Sequence, residues 1–239
     1  MKLSIVMPVY NEGKIITRTI SQLESSVKIP HELLIVYDKN NDTTIEPVKN
    51  LQKRYKNVKL VKNLYAGGAL NAIKTGLVKA KGKAICVMMA DLTDDPKIVN
   101  IMMKKFDQGF DVVAASRYMS GGHQIGGPLL KQLLSRGAGL TLYYLAGIPT
   151  HDATNSFKIY SRKFIKGVKI ESNGGFELGM ELTVKGHFNG YKVTEVPTTW
   201  RYLSKESRFY LKKWLPKYLR WYFWALNKKY LGNPIISEK

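Results

Sequence analysis

Three aspartates follow an apolar run in the segment AICVMMADLTDDP at residues 84–96. Asp91, Asp94 and Asp95 lie within five positions, in a chain that is otherwise strongly basic. Carboxylates are the ligands that hard divalent cations such as Mg²⁺ prefer in proteins. Asp95 has a second interpretation, since an acid directly before Pro96 is typical of the start of a helix. The segment predicts a cation site at Asp91 and a helix cap at Asp95, with Asp94 left open.

Apolar runs that read as strands alternate with helical stretches in the first half of the chain. The predicted strands cover 3–10, 33–38, 58–63, 84–91 and 111–117, and the predicted helices cover 13–26, 43–56, 67–80 and 96–108. Continuous apolar strands between helices indicate a mostly parallel sheet covered by helices on both faces. The sequence therefore predicts an α/β fold.

Polar side chains follow four of these strands, at the point where each strand ends. They are Tyr10, Asn11 and Glu12 after the first strand, Asp38 after the second, Asp91 after the fourth and Arg117 after the fifth. In open α/β sheets, ligands bind outside the carboxyl ends of the strands. We therefore expect these side chains to meet in one binding site at one edge of the sheet.

Composition limits the class of protein. The chain has 239 residues, an apolar content of 44% and a net charge of +20. This charge fits a solvated surface, an anionic substrate, an anionic membrane or a nucleic acid. Cys86 is the only cysteine, which excludes an intrachain disulfide and a cysteine metal cluster. The N-terminus does not read as a secretory leader, and no window approaches about 18 apolar residues, so we expect a cytoplasmic protein.

Motifs of three other enzyme classes are missing from the sequence. There is no GxGxxG after the first strand, no GxxxxGK[ST] and no GxSxG. These absences disfavour a dinucleotide-binding oxidoreductase, a P-loop NTPase and a serine hydrolase. A nucleic-acid-binding module would explain the charge, and its aromatic residues could stack on bases. However, no recognition helix or RNP-like strand is visible and the strand-end acids would repel phosphate, so no nucleic-acid partner is expected.

The early segments resemble family 2 glycosyltransferases with a GT-A fold. They are SIVMPVYNEG (4–13), LLIVYD (33–38), GGALNAIKTGLVKAKG (67–82), MADLTDDP (89–96) and ASRY (115–118). The later segments resemble the branch of polyprenyl- and dolichyl-phosphate sugar synthases. They are HDATNSFKIYSR (151–162), GFELGMELTVKGHFNGYKVTEVPTTW (175–200) and SKESRF (204–209). The resemblance implies an inverting enzyme that moves a sugar from a GDP- or UDP-sugar to a polyprenyl or dolichyl phosphate.

The resemblance also assigns a donor site to the ends of the first, second and fourth strands. The donor-binding residues that it implies are Pro8, Tyr10, Glu12, Asp38, Ala90, Asp91 and Thr93. Asp91 would in addition hold Mg²⁺ or Mn²⁺, which neutralises the charge of the departing diphosphate.

Met89 stands where the family has the first acid of an Asp-x-Asp motif. Alternation along a strand would put residues 89 and 91 on the same side, and a thioether cannot replace a carboxylate for a hard cation. Three interpretations follow. Asp91 holds the metal alone, helped by Asp94 or Asp95; or the metal is weakly bound or dispensable and arginine and lysine side chains take its place; or the enzyme is inactive.

The resemblance assigns three cationic residues and one serine, at and after the end of the fifth strand, to the acceptor phosphate. They are Arg117, Lys131, Ser135 and Arg201, while Arg208 is expected to act with Asp91 and Arg117 in catalysis. Arg201 and Arg208 belong to a segment that is expected to fold over the diphosphate. Lys131 and Ser135 share a helix face because they are four residues apart. For Lys131 and Arg136, a solvated helix face is the alternative.

The kind of acceptor decides whether the site needs a general base. A phosphate monoester is already anionic near neutral pH, with a second pKa of about 6. A glycan or protein hydroxyl, which is the nearest alternative acceptor, needs a carboxylate base. Glu177 and Glu181 are candidates for that base or for hydrogen bonding behind the site, and Asp152 is expected to order the acceptor loop.

Composition changes near residue 200, which is the only visible boundary. From Arg201 to Tyr230 there are nine Lys or Arg residues, ten aromatic residues and one acid. We predict a GT-A catalytic domain over 1–200 and an amphipathic tail over 201–239. Aromatic residues beside Lys and Arg are typical of a helix at a membrane surface, and a helix packed on the domain is the alternative. The expected partners are a nucleotide-sugar, a lipid phosphate, and the cytoplasmic membrane face or a membrane-anchored protein.

Replacing Met89 by aspartate tests the placement of the metal. Met89→Asp should lower the Kd of Mn²⁺ about tenfold or more in the presence of UDP or GDP, because it adds a second charged oxygen ligand. Isothermal titration calorimetry measures this Kd, with Asp91→Asn as the control that should abolish binding. An unchanged Kd in Met89→Asp would show that the cation does not bind beside residue 89.

Overall fold

A seven-stranded sheet forms the centre of the computed structural model, which describes residues 1–203 and 211–232. Its strands are β1 (Leu3–Pro8), β2 (His31–Tyr37), β3 (Val58–Lys62), β4 (Ala84–Val87), β5 (Val112–Ser116), β7 (Lys158–Ser161) and β8 (Val193–Pro197). They lie in the order β3-β2-β1-β4-β7-β5-β8. Only β7 runs antiparallel to its neighbours, β4 and β5. The predicted mostly parallel sheet is confirmed.

Helices cover both faces of this sheet. They are α1 (Ile16–Ser26), α2 (Ile45–Gln52), α3 (Ala69–Lys79), α4 (Ile98–Asp107), α5 (Leu129–Ala146), α6 (Arg162–Gly167), α7 (Leu178–Phe188) and α8 (Leu211–Leu231). One core joins the sheet to α1, α2 and α4, and a second core joins it to α3, α6 and α7. Along β1, Leu3 and Ile5 enter the first core and Val6 enters the second. Because both faces are buried, the strand is apolar at almost every position.

The fourth strand ends earlier than the sequence predicts. β4 covers Ala84–Val87, so Met89 and Asp91 lie beyond the sheet, where Met89 is half-buried and Asp91 is exposed. Leu92 then adopts a left-handed backbone conformation with a φ of 61°, which is uncommon for a leucine. The expectation that residues 89 and 91 share one side of a strand is therefore wrong, because strand alternation stops before them.

Two features of the chain were not predicted from the sequence. β7 enters the sheet between β4 and β5, in a segment to which no strand was assigned. β6 (His123–Ile125) and β9 (Thr199–Arg201) form a small parallel sheet outside the main one. The Arg201 backbone N–H also donates a 2.9 Å hydrogen bond to the Thr93 carbonyl, which brings the start of the predicted tail next to the segment after β4.

The C-terminal helix α8 packs on the domain through part of its surface. Trp221 and Ala225 are buried in a third core that also contains residues of α5 and α7. The Trp221 Nε1–H donates a 3.0 Å hydrogen bond to the Ser172 hydroxyl. Leu219 and Phe223, on the same helix, are exposed. In the described ranges, no helix is long and apolar enough to cross a membrane.

We predict that Trp221 contributes most of the free energy that holds α8 on the domain. Trp221→Ala should lower the free energy of unfolding by about 3–5 kcal/mol, because it removes a large buried side chain. Phe223→Ala is the matched control on the same helix and should change it by less than about 1 kcal/mol. Chemical denaturation measures both, and equal effects would contradict the packing described for Trp221.

Candidate functional site

The carboxyl ends of β2, β1, β4 and β5 lie at one edge of the sheet. β1 is paired in parallel with both β2 and β4. β7 separates β5 from β4 and runs antiparallel to both, so β5 has the same direction as β4. Tyr10 and Glu12, Asp38, Asp91 and Arg117 follow these four strands. These polar groups therefore lie at one edge of the sheet, as the alternation of strands and helices predicts.

The loop after β1 is held by residues that follow β2. The backbone N–H of Asn11 donates to Asp42 Oδ1 at 3.1 Å, and that of Glu12 donates to Thr44 Oγ1 at 2.9 Å. Asn11 is in the left-handed region with a φ of 57°, and its side chain accepts from the Thr43 N–H at 3.2 Å. Asp42 and Thr44 therefore set the position of Tyr10 and Glu12, a role that the sequence alone did not indicate.

Asp38 orders the glycine loop that precedes α3. Its Oδ1 accepts from the Asn63 side chain at 2.8 Å, and its Oδ2 accepts from the Gly68 N–H at 2.7 Å. Gly68 has a φ of 123°, a conformation that favours glycine. A cavity of about 330 Å³ opens beside this loop and is lined by Gly67, Gly68, Leu70, Asn71, Lys74 and residues 172–174. Direct recognition of a base or ribose by Asp38 stays a prediction.

Asp91 presents one carboxylate oxygen to solvent. Its Oδ1 accepts from the Thr93 N–H at 3.1 Å and from the Thr93 hydroxyl at 2.7 Å. No described residue donates to its Oδ2. Mg²⁺ is commonly bound by one or two carboxylates together with substrate phosphates, so Asp91 fits a cation that a diphosphate also ligates. Within residues 1–203 and 211–232, no three His, Cys, Asp or Glu side chains cluster as a metal site.

Asp94 and Asp95 have separate roles. Asp95 Oδ1 accepts from the Lys97 N–H at 2.9 Å. Since α4 begins at Ile98, Asp95 caps the turn just before the helix and not the helix itself. Asp94 is buried, and its Oδ1 has no hydrogen-bond partner among the described residues. Burial and then the nearby charge of Asp91 raise the pKa of Asp94 to about 8. At neutral pH Asp94 is therefore largely protonated and adds little negative charge beside Asp91.

Arg117 is fixed by a buried ion pair with Asp152. Its Nε donates to Asp152 Oδ2 at 2.6 Å and its Nη2 donates to Asp152 Oδ1 at 2.9 Å. The same Nη2 donates to the Thr154 hydroxyl at 2.9 Å. Burial would raise the pKa of Asp152, but the charge and hydrogen bonds of Arg117 outweigh it and lower that pKa. Asp152 is thus an ionised anchor for Arg117 and for the loop that contains Thr154.

A second cavity, of about 470 Å³, lies beside Arg117. Its lining residues are Arg117, Tyr118, Met119, Ser120, Gly122, His123, Gln124, Leu129, Gln132, Leu133 and Arg136. Ser135 is not among the lining residues, but its hydroxyl lies 2.5 Å from the hydroxyl of Tyr118, which is one of them. Arg136, for which a solvated helix face was the alternative, lines the cavity, whereas Lys131 is not among the lining residues. The cavity therefore combines two guanidinium groups with two leucines and contains no carboxylate.

Glu177 and Glu181 are buried and hydrogen-bonded to backbone groups. The Glu177 carboxylate accepts from the N–H groups of Gly174 and Gly175, each at 2.7 Å. The Glu181 carboxylate accepts from the N–H groups of residues 171 and 172, at 2.6 Å and 2.9 Å, and from Lys185 Nζ at 2.8 Å. These contacts favour the second of the two expected roles, in which both carboxylates hold the loop behind the site.

The two arginines of the predicted closing segment have different outcomes. Arg201 is exposed and lies beside Thr93, at the donor side of the edge, rather than in the lining of the cavity at Arg117. Arg208 lies outside the described residues.

Asp94 should make stability depend on pH. Asp94 keeps its proton up to about pH 8 in the folded protein, whereas an aspartate in the unfolded chain releases it near its ordinary pKa of 3.8. The free energy of unfolding of the wild type therefore decreases as the pH rises from about 4 to about 8. Asparagine does not titrate, so the Tm of Asp94→Asn minus that of the wild type should rise by several degrees from about pH 5 to about pH 8.

Circular dichroism at several pH values measures this difference. Asp107→Asn removes an exposed carboxylate on α4 and serves as the control. A difference in Tm that stays constant over the range would show that Asp94 is already ionised at the acidic end.

Solved structures from Staphylococcus aureus and Mycobacterium tuberculosis are among those with the same fold. Staphylococcus aureus TarS (residues 1–349, in complex with UDP) superposes with a TM-score of 0.67 at 17% identity, covering 100% of this chain and 68% of that one. Mycobacterium tuberculosis glucosyl-3-phosphoglycerate synthase, in complex with Mn²⁺, UDP-glucose and phosphoglyceric acid, superposes with a TM-score of 0.65 at 16% identity, covering 98% and 80%. At these identities the likeness shows the fold, which is GT-A as the resemblance implied.

Sequence relatives extend over almost the whole chain. Dolichol-phosphate mannosyltransferase of Pyrococcus furiosus is 28% identical over 225 residues, and the uncharacterized glycosyltransferase YkcC of Bacillus subtilis is 31% identical over 220 residues. The alignments cover 92% and 89% of this chain, but only 62% and 64% of these longer relatives. A model of Glycosyl transferase family 2 matches residues 4–168. The chain therefore belongs to glycosyl transferase family 2.

Proposed function

We propose that this chain transfers a sugar, with inversion, from a GDP- or UDP-sugar to a polyprenyl or dolichyl phosphate. One observation carries the proposal: the cavity at Arg117 is lined by two guanidinium groups and by Leu129 and Leu133, without a carboxylate. Guanidinium groups bind phosphate through charge-assisted hydrogen bonds, and leucines suit a hydrocarbon chain. A lipid phosphate has both of these parts.

The donor side of the proposal rests on the exposed Asp91 and on the relatives. UDP is bound in the Staphylococcus aureus structure, and UDP-glucose and Mn²⁺ are bound in the Mycobacterium tuberculosis structure. When bound, Mg²⁺ or Mn²⁺ would neutralise charge on the departing nucleoside diphosphate, with Asp91 Oδ2 as its protein ligand. Pro8, Tyr10, Glu12, Asp38, Ala90 and Thr93 are the proposed surroundings of the nucleotide-sugar.

The acceptor chemistry fits the groups around Arg117. A phosphate oxygen attacks the anomeric carbon from the face opposite the diphosphate, so one C–O bond forms while the other breaks and the configuration inverts. The phosphate is already anionic, so no protein base has to remove a proton. Arg117 would orient this phosphate with Arg136, and the proposal keeps Lys131, Ser135, Arg201 and Arg208 as further contacts.

A hydroxyl acceptor fits less well. It requires a carboxylate within hydrogen-bond reach of the hydroxyl proton. Glu177, Glu181 and Asp152 each have both oxygens hydrogen-bonded to other groups of the protein. Using one of them as a base would require breaking these bonds.

Exposed leucines of α5 support a location at a membrane surface. Leu129, Leu130 and Leu133 are 75%, 58% and 69% exposed, and they lie at the start of α5 beside the cavity. Lys131 and Arg136 are on the same helix and suit anionic headgroups. We propose that this face rests on the cytoplasmic membrane face, directly or through a membrane-anchored partner, so that the lipid phosphate reaches Arg117 while its chain stays in the bilayer. The sequence indicated such a role only for the tail.

A direct assay tests the proposed reaction. The purified protein is incubated with GDP- and UDP-sugars and a short polyprenyl phosphate, with and without Mg²⁺ or Mn²⁺, and mass spectrometry detects glycosylated lipid phosphate. Arg136→Gln should raise the KM for the lipid phosphate about tenfold, because it removes one charged contact. Arg54→Gln removes an exposed arginine far from the cavity and should leave the KM unchanged.

Two results would contradict the proposal. One is the absence of glycosylated lipid phosphate with every donor, while a sugar or protein hydroxyl is glycosylated under the same conditions. The other is an equal effect of Arg136→Gln and Arg54→Gln on the KM, which would exclude the cavity at Arg117 as the phosphate site.

A further inference from the structure

Lys158 is a fully buried lysine at the centre of the sheet. It begins β7, where it is paired with Val87 of β4 on one side and with Ala114 of β5 on the other. These two strands lead to Asp91 and Arg117, respectively. A buried ammonium is unfavourable unless it is well hydrogen-bonded, so its contacts indicate what it does.

The ammonium group of Lys158 binds one loop. Its hydrogen bonds go to the carbonyl oxygens of Asp152 at 3.5 Å, Ala153 at 3.1 Å and Asn155. No described carboxylate forms an ion pair with it at hydrogen-bond distance. The three carbonyl oxygens therefore share one donor group, the amine of Lys158.

The same loop carries the groups that hold Arg117. Asp152 accepts hydrogen bonds from Arg117 Nε and Nη2, and the Thr154 hydroxyl accepts a further one from Nη2. Asn155 closes the loop, with its N–H donating to Asp152 Oδ1 at 3.1 Å and its side chain donating to the Ala115 carbonyl at 2.9 Å. Lys158 therefore contacts the backbone side of the loop, and Arg117 contacts its side-chain side.

We propose that Lys158 is a positioning residue for Arg117: it draws the carbonyls of residues 152, 153 and 155 together and so sets Asp152 and Thr154 around the guanidinium group. Its effect on sugar transfer rests on the proposed function, whereas its effect on the loop does not. Without the ammonium, three buried carbonyls would lose their donor and their dipoles would repel one another. The loop would open, and Arg117 would lose its fixed orientation.

The charged groups around Lys158 shift its pKa in opposite directions. Burial lowers the pKa of Lys158 to about 7; the nearby Asp152 and Asp94 act to raise it, and Arg117 acts to lower it. Asp152 is on the loop, Asp94 precedes α4 and Arg117 follows β5, so three elements face the ammonium. Loss of its proton as the pH rises through about 7 weakens the hydrogen bonds to the carbonyls, in the same direction as removal of the amine.

Hydrogen exchange tests the loop without any acceptor. In Lys158→Met, amides of peptides covering residues 150–157 should exchange about tenfold faster or more than in the wild type, while the Kd of the nucleotide stays within about twofold. Lys158→Arg keeps a cation and should restore slow exchange. Lys163→Met, on the exposed side of α6, is the matched control and should not change the exchange of these peptides. Lys158→Gln, which keeps an N–H donor, replaces Lys158→Met if the latter does not fold, and should exchange faster than the wild type.

Kinetics then tests the link to Arg117. With a lipid phosphate, Lys158→Met should raise the acceptor KM about tenfold or more, and Lys158→Arg should restore it. Exchange in residues 150–157 that equals the wild type would overturn the inference, as would faster exchange with an unchanged acceptor KM. If the wild type glycosylates no lipid phosphate, the proposed function fails, but the exchange experiment still decides whether Lys158 orders the loop.

Discussion

The buried ion pair between Arg117 and Asp152 is the interaction around which the acceptor side is built. Removing one member of such a pair leaves an uncompensated charge and costs about 3–5 kcal/mol. The surrounding structure therefore has to keep both groups in place. Thr150 donates to Glu195 at 3.0 Å and accepts from the Asp152 N–H at 3.1 Å, which ties the loop to β8. The Lys158 amine contacts the same loop through hydrogen bonds to backbone carbonyls of the loop.

Burial of Asp94 also limits the negative charge between Asp91 on the donor side and Arg117 on the acceptor side. Asp91 is exposed and is the proposed ligand of the cation, whereas Asp94, three residues later, is buried and its pKa is raised to about 8. A neutral Asp94 adds no second negative charge near Arg117, whose own charge is paired with that of Asp152. Two ionised carboxylates without a partner at this place would repel a diphosphate and a phosphate alike, so the environment of Asp94 limits the negative charge of the site.

Several carboxylates accept hydrogen bonds that hold loops at this edge of the sheet. Asp38 holds the glycine loop before α3, Asp42 holds the loop after β1, and Glu177 and Glu181 hold the loop at residues 171–175. Trp221 of α8 is hydrogen-bonded to that last loop through Ser172. The edge of the sheet therefore gains its shape from charge-assisted hydrogen bonds to N–H groups, which are about twice as strong as neutral ones.

The sequence by itself determined the parallel sheet, the edge where its polar groups meet and the family, because apolar periodicity and short motifs are local properties of the chain. It placed Tyr10, Asp38, Asp91 and Arg117 at that edge, but it extended β4 past Val87. Only the tertiary structure decided that β7 enters between β4 and β5, that Asp94 is buried and that Leu133 is exposed. Burial, protonation and hydrogen-bond partners depend on segments far apart in the chain, so no local pattern could specify them.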